Sequence, residues 1–251
     1  MLCGVLQVSR SGYYRWRSVR AQEEANQEAD RQLLPRIRLI HAESRGSYGV
    51  RRITAALGRE GIVVNYKRVF RLMPQAGLAR ISRRRRRPRT MLSSDRTPVA
   101  TNVLAREFRA DRPNQRWCGD ITYIRLADGR FVYLAVVLDL YSRRVIGWSV
   151  QESLESNLVI EAQRRALWQP RAKKGEVLMH SDQGSQYQSR EFRRLLAKWG
   201  VTQSLSRRGN CWDNAVSESF FASLEVELLA RIMVHSVEKA RSQLGYWIEH
   251  V

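Results

Sequence analysis

The apolar positions of the chain change period partway along it. Between residues 28 and 43, Leu33, Ile37 and Ile40, with Leu34 beside them, recur at helical spacing. Pro35 lacks the N–H that a helix interior uses, so the pattern predicts a helix that either begins at Pro35 or bends there. Residues 46–49 read as a turn, after which Val50, Ile53 and Leu57 mark a second helix closed by Gly61. Asn65 is placed to cap a third helix with Val69, Leu72 and Met73 on its inner face. Three short helices joined by tight turns predict a small all-α helix-turn-helix region over residues 1–80. At its start, residues 6–16 read as a short helical turn, a Ser/Gly break and a second basic, aromatic segment, which fits a helical hairpin.

From Asn114 the pattern becomes that of strands. Residues 120–126 form one, residues 127–130 supply an Asp-Gly hairpin turn, and residues 131–138 form a second, nearly all apolar strand. A third is expected at 145–150, a helix at 156–168, a strand at 177–179, a helix ended by Gly200, a strand at 201–205 and an amphipathic helix at 215–229. Three strands in hairpins, then helix, strand, helix, strand and helix, predict an α/β domain. Its mixed five-stranded sheet is flanked by helices, in the order of a ribonuclease-H-like layer sandwich.

Charge sharpens the division. The net charge is +20, yet residues 1–116 hold 26 Lys/Arg against 9 Asp/Glu, and residues 117–251 hold 18 against 15. A polyanion-binding half is thus joined to a nearly neutral one. On the third helix Lys67, Arg68 and Arg71 form the face expected to meet DNA. The run Arg83, Arg84, Arg85, Arg86 and Arg87 cannot pack, and residues 81–113 read as a linker. The run serves either as a solubilising tether or, favoured in so basic a chain, as a neutraliser of phosphates. Cys3, Cys118 and Cys211 are odd in number and lack paired metal-ligand spacing, which points to a reducing cytoplasm. Neither a signal peptide nor a run of roughly 18 apolar residues is apparent, so no membrane association is expected.

The candidate chemistry is acidic. Asp182 follows the short strand at 177–179, with Gly184 permitting a turn, and Glu218 falls in the first turns of the helix that Asp213-Asn214 starts. Asp120 is the one acid of the strand Trp117-Cys118-Gly119-Asp120-Ile121-Thr122-Tyr123-Ile124. Two carboxylates at strand ends and one on a helix can converge on divalent cations, although no local spacing reveals it. His180 either orients a carboxylate, touches phosphate, or is a packed, hydrogen-bonded histidine. Asp139 is expected to organise a strand edge, Asn210 and Trp212 to shape the loop before Glu218, and Cys118 and Cys211 to be small buried residues.

Four segments carry a resemblance: Trp117 to Ile124, Leu138-Asp139-Leu140-Tyr141-Ser142-Arg143, His180-Ser181-Asp182-Gln183-Gly184-Ser185-Gln186-Tyr187, and Asn210-Cys211-Trp212-Asp213-Asn214 through Glu218-Ser219-Phe220-Phe221. With 35 residues between Asp182 and Glu218, the chain resembles the larger (OrfB) reading frame of transposases of the third insertion-sequence family, relatives of retroviral integrases. Residues 41–49 and 68–73 are similar to that family's helix-turn-helix segment. The resemblance implies an Asp-Asp-Glu site of Asp120, Asp182 and Glu218 that holds two magnesium or manganese ions and cleaves and joins DNA strands. It also implies element ends and target DNA as partners, fusion with the product of an upstream frame (OrfA), and a dimer or larger assembly when two ends are synapsed. Three departures stand out. Glu225 sits where the family usually carries Lys or Arg, Pro74 lies inside the third helix, and the basic tail that normally follows the last helix is not present, which opens the alternative of an impaired remnant that only binds DNA.

Overall fold

The computed structural model describes residues 9–79, 100–169, 174–207 and 211–250, in two compact units that divide at Arg84 and Arg85. The Arg83 to Arg87 run, Asn210, Cys3 and the first arm of the expected hairpin lie outside the described residues.

The first unit holds α1 (Arg10–Glu43), α2 (Val50–Arg59) and α3 (Tyr66–Gln75). Sequence periodicity left α1 starting or bending at Pro35, but the helix runs unbroken through it from a cap at Ser9, whose hydroxyl accepts from the Gly12 N–H at 3.0 Å. Leu33, Ile37 and Ile40 lie in one buried stripe against Ile53, Leu57, Val69 and Leu72, and that apolar seam outweighs the one hydrogen bond proline removes. Asn65 caps α3 as expected, its side chain accepting from the Lys67 N–H at 2.9 Å. Pro74 falls in the last turn of α3, which ends one residue later at Gln75, so little of the helix is lost to it.

The second unit contains β1 (Arg116–Arg125), β2 (Phe131–Asp139), β3 (Val145–Gln151), α4 (Ser156–Leu167), β4 (Leu178–Ser181), α5 (Arg190–Trp199), β5 (Thr202–Leu205), α6 (Ala215–Glu227) and α7 (Val237–His250). The five strands lie in the order β3-β2-β1-β4-β5, antiparallel among the first three and parallel from β1 to β4 to β5. This is the ribonuclease-H-like sheet that the element order predicts. β2 alternates its two faces, Ala135 and Val137 packing with α4 and α5, Leu134 and Val136 with α6 and α7. A strand buried on both faces reads as a continuous apolar run, which is how it appears in the sequence.

Gly147 on β3 lets α4 lie close, since a Cβ there would stand 2.1 Å from the Ala162 carbonyl oxygen. Part of the stretch read as linker is in fact packed on this unit. Leu104 is buried, and the backbone N–H groups of Val103 and Leu104 both donate to Ser204 Oγ, at 2.9 and 3.0 Å. Short polar segments with a single apolar anchor leave no periodic trace, and the contacts they make are distant in sequence.

Candidate functional site

β1 pairs in register with β2, placing Asp120 opposite Val136, on the sheet face that packs against α6. Asp120 therefore lies in the middle of β1 and not at a strand end, because Trp117 and Cys118 upstream also pair with Met179 and His180 of β4. Asp182 follows directly on β4, where its Oδ1 accepts from the Gly184 N–H at 3.0 Å. Asp120 Oδ1 in turn accepts from the Ile121 N–H at 2.8 Å. Glu218 is in the first turn of α6, exposed at the rim.

All three carboxyls are pushed above the usual carboxylate range. At Asp120 burial is the main cause, followed by repulsion from Asp182, with Glu218 adding to it. At Asp182 and at Glu218 the cause is burial. Asp182 keeps an exposed edge although protein crowds around it. Among the described residues no Lys or Arg pairs with any of the three, and no three Asp, Glu, His or Cys side chains are gathered tightly enough to hold an ion as they stand. The donor set of the three acids, oxygen only, suits a hard divalent cation.

Tyr187, not singled out from the sequence beyond its place in the His180 to Tyr187 segment, is buried, and its hydroxyl is held well above its usual pKa, first by burial and then by Asp120 and Asp182. It approaches β1 where Gly119 has no side chain: a Cβ there would lie 3.4 Å from the tyrosine oxygen. Burial keeps the phenol neutral, and the two acids are near enough to raise it further.

The supporting residues divide. His180 is buried and engages Ser204 at 2.8 Å through Nδ1 and Ser206 at 3.1 Å through Nε2, and burial lowers its pKa, so it is the packed, hydrogen-bonded histidine. Asp139 accepts from the Asn114 N–H at 3.0 Å and from the Ser142 N–H and hydroxyl at 2.9 and 2.7 Å, tying the end of β2 to its turn. Trp212 lies in the 3-10 turn Cys211–Asn214 that leads into α6. Glu225 is exposed on α6, two turns beyond Glu218.

Asp213 is the residue whose weight sequence reasoning missed. It is fully buried and accepts from Arg207 Nη2 at 2.8 Å, Arg106 Nε at 2.8 Å and Asn102 Nδ2 at 2.8 Å. Arg207 leads in holding its carboxyl well below the usual range. Two of these partners come from more than a hundred residues away in the chain, so no motif spacing announces them. Asn214 was expected to help cap α6, but its side chain makes no cap bond and instead accepts from Cys118 Sγ at 2.8 Å. Cys118 also meets Ser217 Oγ at 3.1 Å, and burial pushes its thiol up to about 12, so it is a neutral packing group and no nucleophile.

In the first unit the expected DNA face is partly engaged. Arg68 Nε and Arg71 Nη2 each lie 2.6 Å from Asp30 on α1, whereas Lys67 is exposed. Burial raises Asp30, and the two guanidiniums outweigh it, leaving its pKa lowered. Arg36 and Glu60 form a second ion pair between α1 and the end of α2.

Residues 110–211 and 188–250 match models of an integrase core domain, and residues 28–87 match an HTH-like domain. The chain is 36% identical over 248 residues to the transposase InsF for insertion sequence IS3A of Escherichia coli K12, covering 99% of this chain and 85% of that one. It is 35% identical, over 99% of this chain and 89% of the other, to a 31 kDa protein of insertion element IS600 of Shigella sonnei. Among solved structures, the catalytic domain of Mos1 transposase with raltegravir and magnesium is 21% identical, covering 55% of this chain and 72% of that chain at a TM-score of 0.45. The integrase catalytic core of HTLV-2 with magnesium is 22% identical, covering 45% and 68% at a TM-score of 0.36. At 36% identity over nearly its whole length, the chain belongs to the InsF family of insertion-sequence transposases.

Proposed function

We propose that this transposase cuts and rejoins DNA at insertion-sequence ends, with Asp120, Asp182 and Glu218 as its catalytic residues. The observation that carries this reading is the placement of the acids: Asp182 directly follows β4, the parallel neighbour of Asp120's strand, Glu218 lies in the first turn of the helix packed on Asp120's face of the sheet, and both raise Asp120. Such a cluster is costly to a fold unless a cation neutralises it. Magnesium or manganese, two ions when DNA is bound, would be held by these three residues and would activate a water or 3′ hydroxyl and stabilise the leaving oxygen. The chain's own groups fix the arrangement: the Ile121 and Gly184 N–H groups each hold one carboxylate oxygen of Asp120 and Asp182. Buried Tyr187 stays neutral within reach of the acids' charge.

The HTH-like unit, Lys67 and the Arg83 to Arg87 run supply DNA affinity, with Arg68 and Arg71 adding to it from around Asp30. Capture of two ends calls for at least a dimer, and fusion to the product of the upstream frame supplies further DNA contacts.

The test uses labelled duplexes carrying the ends that flank this gene, with magnesium, and Asp182→Ala as the blank. Cleaved and joined product from the native chain, absent from the blank, supports the proposal. Salt-sensitive duplex binding without product overturns it in favour of a DNA-binding remnant.

A further inference from the structure

Residues 10–29 of α1 are exposed on every side, a rod of roughly 30 Å at 1.5 Å per residue. Most helices gain their stability by packing one face, and this stretch packs none among the described residues. The chemistry of this rod is polar in the electrical sense. Its first 13 residues carry Arg10, Arg15, Arg17 and Arg20 and no acid, and acids begin at Glu23.

The cations are also patterned. Arg10, Tyr13, Tyr14, Arg17 and Arg20 recur at i, i+3, i+4, i+7 and i+10, so they share one face, and Arg15 points to the opposite one. Tyr14 and Trp16 are 64% and 54% exposed, where an aromatic side chain ordinarily seeks cover. Arg20 lies 5.3 Å above the Trp16 ring. Meanwhile α3, the expected recognition helix, has Arg68 and Arg71 committed to Asp30.

We infer that the face of α1 bearing Arg10, Tyr13, Tyr14, Arg17 and Arg20 is a second duplex-DNA contact, separate from the HTH-like segment, whose match begins only at residue 28. A helix of about 10–12 Å fits the major groove, which is about 12 Å wide. Arginines on one face reach the phosphates on its walls, and the aromatic rings between them cover sugar and base edges. Charge complementarity favours DNA: residues 10–22 carry four arginines and no acid, and the nearest acid on this face, Glu24, is paired within the helix to Arg20 at 3.2 Å, both side chains staying well exposed.

The inference rests on DNA being the ligand, and the experiment separates the two. The full chain is titrated, without divalent metal, against a labelled duplex carrying an element end and a scrambled duplex of equal length, at several salt concentrations. The triple variant Arg10→Gln, Arg17→Gln, Arg20→Gln is compared with Arg15→Gln and with the triple Lys variant. The expected result is that the Gln triple loses roughly 2 to 3 from the slope of log affinity against log salt, about 0.9 for each phosphate contact. Arg15→Gln should match the native slope, and the Lys triple should recover most of it. Far-UV circular dichroism checks that α1 persists in each. If the native chain binds neither duplex, the DNA reading itself fails. If it binds and the Gln triple binds with the same affinity and slope, the inference alone is overturned. A Gln triple that binds DNA normally but changes its mass by light scattering would assign the face to a protein partner instead.

Discussion

The thiol of Cys118 donates to the side-chain oxygen of Asn214 across 2.8 Å, joining β1 two residues before Asp120 to the residue that precedes α6. The same sulfur meets Ser217, next to Glu218. One buried neutral side chain therefore sets the strand of one acid against the helix of another. Cys118→Ala leaves Asn214 and Ser217 with a lost buried partner, a cost of about 1–3 kcal/mol. It is expected to lower kcat while DNA affinity holds, whereas Cys118→Ser, which keeps a donor, restores most of the rate. Chemical denaturation together with strand-transfer kinetics checks both. A Ser variant as impaired as the Ala variant would show that sulfur volume, and not the hydrogen bond, matters.

Asp213 secures the turn that leads into the same helix, gathering Arg106, Arg207 and Asn102. It acts as a positioning residue, since nothing places it on the reacting phosphate. Asp213→Asn should slow strand transfer far more than it weakens binding to the element end. Its pH dependence has a definite sign. A carboxyl whose folded pKa is depressed contributes stability above its unfolded value, about 3.9, and loses it as pH falls through the folded value. The melting temperature of the native chain should therefore exceed that of Asp213→Asn at neutral pH, and the gap should narrow below about pH 4. A gap unchanged down to pH 2 would contradict the ion-pair account.

Much of this architecture is written in local pattern. The period-2 runs, the Asp128-Gly129 turn with Gly129 at φ 89, the Asn65 cap and Gly200 in the left-handed region are each local choices of chemistry, and each falls where the sequence puts it. The three acids could be picked out one by one from the pattern, but their grouping as one site came from motif resemblance, because a mid-strand, a strand end and a helix share no local spacing. The unbroken α1 and the packed segment around Leu104 were not legible. Pro35 argues locally against a helix that tertiary burial of Ile37 then enforces. The partners of Asp213 are set by chain threading, which no spacing encodes.

Asp30 poses two demands on one carboxylate, anchoring α3 to α1 and restraining Arg68 and Arg71. Both guanidiniums are a third or more exposed, at 33% and 53%, so breaking the pair should cost about 1 kcal/mol, below the 3–5 of a fully buried one. Asp30→Asn should lower thermal stability by that modest amount and tighten nonspecific duplex binding at low salt. Weaker binding in the variant would mean that Asp30 holds the arginines in the DNA-contacting pose.

Gly147 tests the close approach of α4 to the sheet. An added methyl meets backbone, at 2.1 Å from the Ala162 oxygen and 2.7 Å from the Ala166 nitrogen, and neither can swing aside. Gly147→Ala should destabilise the catalytic unit by about 1–3 kcal/mol. Gly119→Ala meets first the flexible end of Met179, at 2.3 Å, and should cost less. Equal midpoints in a urea titration of the two variants would overturn this ranking.

The central claim, that Asp120, Asp182 and Glu218 form one catalytic set, is tested most directly by replacing each in turn with its amide. Magnesium-dependent strand transfer and element-end affinity are then measured on the same preparations. The account predicts that Asp120→Asn, Asp182→Asn and Glu218→Gln each lose about a thousandfold or more in rate, that pairs of substitutions lose little beyond the singles, and that duplex affinity stays at or above the native value. Strand transfer within tenfold of native in any one of the three, with binding intact, would contradict it.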